Sequence, residues 1–177
     1  MKLREILLAD DVVQSINDNL DYLLEQIPQI KPMIGFDQKN PHHHLDVWGH
    51  TLLALSMSKK DFDIRLCLLL HDIGKPFSCQ DGEIRHFKGH EIVSAKMANE
   101  ILHILGFENG YIKEMCHLIE IHDTPITADQ VENDYETCLK LFDIQSCDAL
   151  AHHPDKLEKR RQYLKETQAL ISKKGAI

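Results

Sequence analysis

A histidine followed directly by an aspartate ends the apolar stretch IRLCLLLHDIGKP. The unbroken apolar run over residues 66 to 70 predicts a helix that is surrounded by protein. Burying His71 and Asp72 there is costly unless a partner compensates them. Adjacent helix residues do not face each other, so a single partner reaches both only from beyond the helix end. A metal ion is one interpretation, and a hydrogen-bonded histidine–aspartate pair at a helix C-terminus is the other.

Other side chains that bind metals are spread along the chain. His50 lies in DVWGHTLLALSM, His90 opens GHEIVSAKMANEIL, His122 lies in YIKEMCHLIEIHD, and Asp148 lies in SCDALAHH. The apolar spacing around them predicts helices, and a lone histidine on such a helix also fits a satisfied core residue. Together they follow the order His, His-Asp, His, His, Asp, which indicates one site assembled from several helices.

The stretch NPHHHLDVWGHTL places four histidines within nine positions. It could be a metal-binding tract, a purification tag, or a substrate-facing loop with one ligand behind it. The run is internal and interrupted, which argues against a tag. Only His50 lies on a predicted core-packed helix, which Asp46 can cap. We therefore expect His50 to be the ligand, with His42, His43 and His44 in the preceding loop and His44 as the substrate contact.

These motifs resemble the HD-domain superfamily of metal-dependent phosphohydrolases, which are all-helical. More narrowly, they resemble the HD domain of some bacterial tRNA nucleotidyltransferases through NPHHHLDVWGHT, HDIGK, HFKGHEIVSA and CDAL, in the same order. The resemblance covers residues 36 to 152, about two thirds of the chain. It implies a compact HD-type helical bundle, a single domain over residues 1 to 177. The glycine-rich loop and paired aspartates of a nucleotidyltransferase are absent from this sequence, so we expect a stand-alone HD domain that adds no nucleotides.

The resemblance also implies a metal centre. One or two divalent transition metal ions, Fe, Mn, Ni or Co, suit imidazole and carboxylate ligands without thiolates, and Mg is possible. A closed structural zinc site is less suited to this ligand set. Asp72, with two oxygens, would bridge two ions. The minimal site corresponds to His50, His71, Asp72 and Asp148, and the residues for a second ion correspond to His90 and His122.

Hydrolysis of a phosphate ester is the chemistry that such a centre implies, because a bound ion lowers the pKa of its water and offsets phosphoryl charge. Asp72 and Lys75 are the predicted catalytic residues. Lys75 would also bind substrate, neutralising a phosphoryl oxygen as a point charge, although a lysine after a helix is also an ordinary surface residue. His86, in the basic stretch GEIRHFKGH, is predicted to contact substrate and to stabilise or protonate the leaving oxygen.

Two functions fit these residues. The first is a metal-dependent phosphohydrolase that cleaves a phosphomonoester or phosphodiester of a small, nucleotide-like substrate. The alternative is a regulatory module that holds a nucleotide or an RNA end at the same metal site without turnover. Degenerate members of the superfamily usually lose ligands, and all the ligand positions are filled here, which favours the enzyme. A helical interaction protein with dispersed core histidines would instead show no convergence of these residues.

The elements that must position these residues are predicted to be helices throughout, because apolar residues recur at helical spacing and no stretch alternates as a strand would. Prolines and glycines separate the helices. The irregular segments 28 to 45 and 74 to 87 are long enough to wall a site. The predicted helices cover residues 10 to 27, 46 to 59, 61 to 73, 88 to 105, 108 to 122, 127 to 150 with a possible break near Asp134, and 155 to 173.

Composition limits the partners of the protein. A net charge of −8 disfavours a long nucleic acid and leaves a small phosphorylated substrate of nucleotide size as the expected partner. The basic run KLEKRRQYLK is interpreted as a solvated helix face. Five cysteines with no CxxC pair favour free thiols, and we expect a cytoplasmic protein. No apolar run is long enough for a membrane span, and the first residues do not read as a signal peptide.

Overall fold

The computed structural model describes residues 2 to 175. Within this range the chain forms helices, and its only β-type pairing is an isolated bridge between Gln80 and His86. The all-α prediction is therefore confirmed. One hydrophobic cluster extends from Leu3 to Ile171, as expected for a compact unit. The predicted domain limits at residues 1 and 177 lie outside the described residues.

The helices follow one another in this order: α1 (Lys2–Leu7), α2 (Val12–Asp18), α3 (Leu20–Gln26), a 3-10 helix (Pro28–Met33), α4 (Val47–Ser56), α5 (Phe62–Leu70), α6 (Lys75–Ser78), α7 (His90–Ile104), α8 (Asn109–Glu120), α9 (Ala128–Asn133), α10 (Tyr135–Leu150), a 3-10 helix (Pro154–Lys156) and α11 (Leu157–Gly175). No helix within residues 2 to 175 is both long enough and apolar enough to span a membrane.

Helix boundaries differ from the prediction mainly in the N-terminal part. The helix predicted over residues 10 to 27 is divided into α2 and α3 at Asn19, whose side chain donates a hydrogen bond to the Ser15 carbonyl at 2.8 Å. Helices α1 and α6 lie outside the predicted set. The break near Asp134 is confirmed: the Asp134 carboxylate accepts a hydrogen bond from the Thr137 amide and begins α10.

Helix α5 is the central element of the fold and packs against α1, α4, α7, α8 and α10. All of its residues except Asp63 are buried, as its apolar run predicts. The Asp61 carboxylate caps its start by accepting a hydrogen bond from the Ile64 amide at 3.1 Å. Because α5 is enclosed on its sides, the residues that follow its end, His71 and Asp72, are held in the interior.

The turn after α5 lies unusually close to the start of α7. A Cβ atom on Gly74 would lie 2.6 Å from the Ser94 amide nitrogen and 2.7 Å from the His90 carbonyl oxygen. The Gly74 amide donates a hydrogen bond to Ser94 Oγ at 2.9 Å. Only glycine permits this approach, which sets the separation between the turn that carries Asp72 and the helix that begins with His90.

Candidate metal centre

The six predicted metal ligands converge at one point in the interior. His50 comes from α4, Asp148 from α10, and the remaining residues come from the first residue of α7 or from turns that follow α5 and α8. All six are at most 8% exposed. Their ligand atoms form groups in which every pair lies within 4.8 Å. This convergence argues against dispersed core histidines.

Asp72 lies between two groups of histidines. Its Oδ2 atom lies 3.7 Å from His50 Nε2 and 3.3 Å from His71 Nε2, whereas its Oδ1 atom lies 3.2 Å from His90 Nε2 and 4.0 Å from His122 Nε2. Lys75 Nζ lies 2.7 Å from Oδ2 as an ion pair, yet neither oxygen accepts a hydrogen bond of good geometry. Each oxygen of this buried carboxylate therefore faces its own set of nitrogen ligands.

Asp148 completes the first group. Its Oδ1 atom lies 2.7 Å from His50 Nε2 and 3.6 Å from His71 Nε2. The first group thus contains two imidazoles and two carboxylates, and the second contains His90, His122 and the other oxygen of Asp72. This is the set expected for one divalent ion, or for two ions that share Asp72.

Backbone carbonyls fix the rings of the four ligand histidines. A carbonyl can only accept a hydrogen bond, so the Nδ1 atom beside it carries the proton, and Nε2 of the neutral ring keeps its lone pair for a metal. Two such Nε2 atoms, those of His90 and His122, lie only 3.3 Å apart. The Nδ1 partners are Ala151 for His50 (3.2 Å), Leu68 for His71 (2.7 Å), Phe87 for His90 (2.9 Å) and Ile119 for His122 (2.6 Å).

Two positive groups, the His71 ring and the Lys75 ammonium, offset the carboxylate charges of the centre. Burial opposes ionisation of Asp72, but the charges of His71 and Lys75 hold the pKa of its carboxyl well below the ordinary value. Burial also disfavours a charged His71, yet Asp72 and Asp148 raise the pKa of its ring to about 10. A divalent ion would displace the His71 proton and compensate the same carboxylates, so the donor set fits a metal.

A cavity of about 680 Å³ opens onto the centre. Its volume suits a ligand of nucleotide size. Four of the predicted metal ligands, Asp72, His90, His122 and Asp148, are exposed to it. The other residues of its wall are Asn40, His42, His43, Lys75, Phe87, Lys88, Gly89, Glu91, Asp123, Thr124, Pro125, His152 and Arg160.

The predicted substrate contacts divide into one residue at the cavity and two outside it. Lys75 lines the cavity and is 5% exposed, with its Nζ atom 3.1 Å from Gln38 Oε1. His44 is exposed and packs its ring edge-on against His153, with centroids 5.6 Å apart. His86 is exposed and pairs with Gln80 through its backbone. Neither of these two is in the cavity wall, and their substrate contacts stay predictions.

Two further histidines lie beside the centre without having been predicted there. The His43 ring lies 4.9 Å from that of His50 and 4.5 Å from that of His152, so His43 holds the inward position expected for His44. His152 Nδ1 donates to the backbone carbonyl of Asp148 at 2.8 Å. The i, i+4 spacing of Asp148 and His152 is a signal that could have identified His152.

The sequence of this chain matches a known protein family. The HD domain family model matches residues 42 to 171. The A-adding tRNA nucleotidyltransferase of Deinococcus radiodurans is 30% identical over 141 residues, which cover 74% of this chain and 32% of that protein. The CC-adding tRNA nucleotidyltransferase of Thermus thermophilus is 31% identical over 104 residues, 54% of this chain and 24% of that protein. The chain spans less than a third of either curated relative. Because the family match includes all six predicted ligands, it confirms the resemblance, and the chain belongs to the HD domain family.

Proposed function

We propose that the protein is a metal-dependent phosphohydrolase that cleaves a phosphomonoester or phosphodiester of a small, nucleotide-like substrate. The observation that carries this proposal is the buried Asp72 carboxylate, which faces imidazole nitrogens on both sides and accepts no hydrogen bond. A buried carboxylate is costly unless positive charge compensates it, and Lys75 Nζ pairs with Oδ2, whereas Oδ1 faces only the imidazoles of His90 and His122. The HD domain family implies the superfamily of metal-dependent hydrolases. The residues that would hold the ion or ions are His50, His71, Asp72, His90, His122 and Asp148.

A divalent ion bound here supplies Lewis acidity toward a phosphoryl oxygen and lowers the pKa of a bound water. The chain's own residues position the substrate beside it. The buried ammonium of Lys75, held by Asp72 and Gln38 at the cavity wall, stabilises negative charge that develops on the phosphoryl group. Burial lowers the pKa of His152 to about 4, so its neutral ring serves as a hydrogen-bonding group at neutral pH.

Metal removal tests the proposal directly. The purified protein should contain at least one divalent transition metal ion per chain by elemental analysis, and it should hydrolyse p-nitrophenyl phosphate or bis-p-nitrophenyl phosphate. Dialysis against a chelator should remove hydrolysis, and adding back Mn²⁺, Fe²⁺, Co²⁺, Ni²⁺ or Mg²⁺ should restore it. Bound metal without turnover of these substrates or of a nucleotide panel would contradict the enzyme and favour the binding module.

Replacing Gln38 with methionine should weaken catalysis through Lys75. Gln38 is 1% exposed, accepts a hydrogen bond from Lys75 Nζ and donates one to the Leu45 carbonyl at 3.1 Å. Methionine has a similar length but lacks the oxygen, so Lys75 loses one of its two partners. We expect kcat/KM for p-nitrophenyl phosphate to fall by about tenfold, since misplacement of a charged group by about 1 Å costs up to about 100-fold.

Measuring the metal content of Gln38→Met distinguishes a loss of Lys75 positioning from general damage to the metal centre. It should stay at the wild-type level in Gln38→Met, because Gln38 contacts none of the predicted metal ligands through its two hydrogen bonds. The control is Gln29→Met, at a partly buried glutamine whose Oε1 atom has no hydrogen-bond partner among the described residues. Equal kinetics in the two variants would refute the positioning role.

A further inference from the structure

The first turn of α11 brings an arginine to the cavity of the metal centre. Arg160 lines this cavity together with Asp148 and His152, although it lies in the basic run KLEKRRQYLK, whose charge pattern predicts a solvated face. Among residues 2 to 175, Arg160 has no carboxylate within ion-pair distance, whereas Lys59, Lys140 and Arg85 each have at least one. Arg160 therefore lies in the wall of a polar cavity, and none of the described carboxylates forms an ion pair with it.

The neighbourhood of Arg160 is positive although the chain as a whole carries a net charge of −8. Burial lowers the pKa of the His42 ring, and the charges of Lys156, Arg160 and Lys159 lower it further. His42 is also in the cavity wall. At neutral pH its uncharged ring can donate a hydrogen bond, so an anion here would meet one permanent positive charge and one neutral donor.

This positive region adjoins the metal centre. The His153 amide donates a hydrogen bond to the His42 carbonyl at 2.8 Å and thereby joins the two segments that form the rim. The residues next to them, His43 and His152, have ring centroids 4.5 Å apart, and His152 bonds to the backbone of Asp148. Arg160 and His42 thus line the same cavity as Asp148, on two segments that contribute none of the predicted metal ligands.

We propose that Arg160 and His42 form a second anion subsite, which binds a phosphate group other than the one that is hydrolysed. This inference rests on the proposed function. A planar guanidinium can donate two parallel hydrogen bonds to the oxygens of one phosphate group. The substrate class is then a nucleotide with two separate phosphate groups, either a nucleoside bisphosphate or the 3′-phosphorylated end of an RNA. Water adds to one phosphorus, its ester P–O bond breaks, and the alcohol oxygen takes a proton, while the second phosphate stays attached.

The test compares a substrate that has the second phosphate with one that lacks it. For Arg160→Ala we expect KM for adenosine 3′,5′-bisphosphate to rise about 10- to 100-fold with kcat within about twofold, because a hydrogen bond to a charged group contributes about 1.5–3 kcal/mol. The rise in KM for p-nitrophenyl phosphate, which lacks a second phosphate, should be at least about fivefold smaller. Arg160→Lys keeps the positive charge but loses the planar pair of N–H donors. Its KM for adenosine 3′,5′-bisphosphate should therefore lie between those of wild type and Arg160→Ala.

Arg161→Ala is the matched control, since Arg161 is the next residue on α11 and is exposed. An equal rise in KM for both substrates in Arg160→Ala, or the same bisphosphate effect in Arg161→Ala, would overturn the subsite. An effect confined to an oligoribonucleotide with a 3′-phosphate would support the subsite and identify an RNA end as its source.

Calorimetry separates failure of the subsite from failure of the proposed function. Binding of adenosine 3′,5′-bisphosphate to chelator-treated protein should weaken about tenfold or more in Arg160→Ala, whether or not the protein is an enzyme. If no substrate is turned over but this difference is measured, the subsite stands and the hydrolase proposal fails. If wild type and Arg160→Ala bind both adenosine 3′,5′-bisphosphate and a 3′-phosphorylated oligoribonucleotide equally, the subsite is refuted, whatever the activity.

Discussion

Replacing Asp72 with alanine is expected to remove metal binding and hydrolysis together. Asp72 offers one oxygen to each ligand group, so the substitution damages both groups. Metal affinity should fall by more than about 100-fold, since loss of a residue that only supports a ligand already costs about 10- to 100-fold. The several kcal/mol of transition-state stabilisation that a metal supplies correspond to a loss of at least about 1000-fold in kcat/KM.

Elemental analysis, p-nitrophenyl phosphate kinetics and thermal denaturation with and without Mn²⁺ measure these effects. The ion should raise the melting temperature of the wild type and leave that of Asp72→Ala unchanged. Asp143→Ala is the control, because Asp143 lies on α10 like Asp148 but pairs with Lys59 at 2.6 Å near the surface, a contact of about 0–1 kcal/mol. Wild-type metal content in Asp72→Ala would refute the centre.

Replacing Gly74 with alanine should lower both stability and metal affinity. The Gly74 φ of −82° suits alanine, so the cost comes from contact and not from backbone strain. The added Cβ would lie 2.6–2.7 Å from backbone atoms of Ser94 and His90, which cannot rotate away as a side chain could. We expect a loss of about 3 kcal/mol, at the upper end of overpacking effects, and a melting temperature lower by about 6–12 °C.

The shift that relieves this contact must separate the turn containing Asp72 from the start of α7, so metal affinity should fall as well. Denaturant unfolding and metal titration measure the two effects. Gly110→Ala is the matched control: apart from its chain neighbours and the nearby backbone of α8, no described atom lies within 4 Å of the position that a Cβ would take there, and alanine favours a helix by up to about 1 kcal/mol. Equal stability of the two variants would contradict the close approach at Gly74.

The convergence of the six predicted ligands could be expected from features that the sequence displays beside them. The apolar run of α5 indicates an enclosed helix, which makes the polar His71 and Asp72 conspicuous at its end. The helix patterns around His50 and Asp148 place those residues on elements that must pack together. Periodicity identifies such elements well, because a buried helix repeats its apolar face every turn.

The rim of the cavity was not predictable in the same way. In an irregular segment no period shows which of His42, His43 and His44 points inward, and the structure places His43 beside His50. The position of Arg160 depends on how α11 packs on α10, a tertiary contact with no local signal. A run of alternating charges normally indicates a solvated face, and a single residue of that run lies in the cavity wall instead.

The hydrogen bond from the His153 amide to the His42 carbonyl joins two segments of the rim through backbone atoms. Such a bond does not depend on the side chain at either position, apart from proline at 153, which would remove the donor. The exposed side chains of His42 and His44 can therefore be exchanged without loosening this link, whereas His43 packs its ring against those of His50 and His152. The outer side chains of the rim are thus free to diverge between related proteins while the predicted ligands keep their positions.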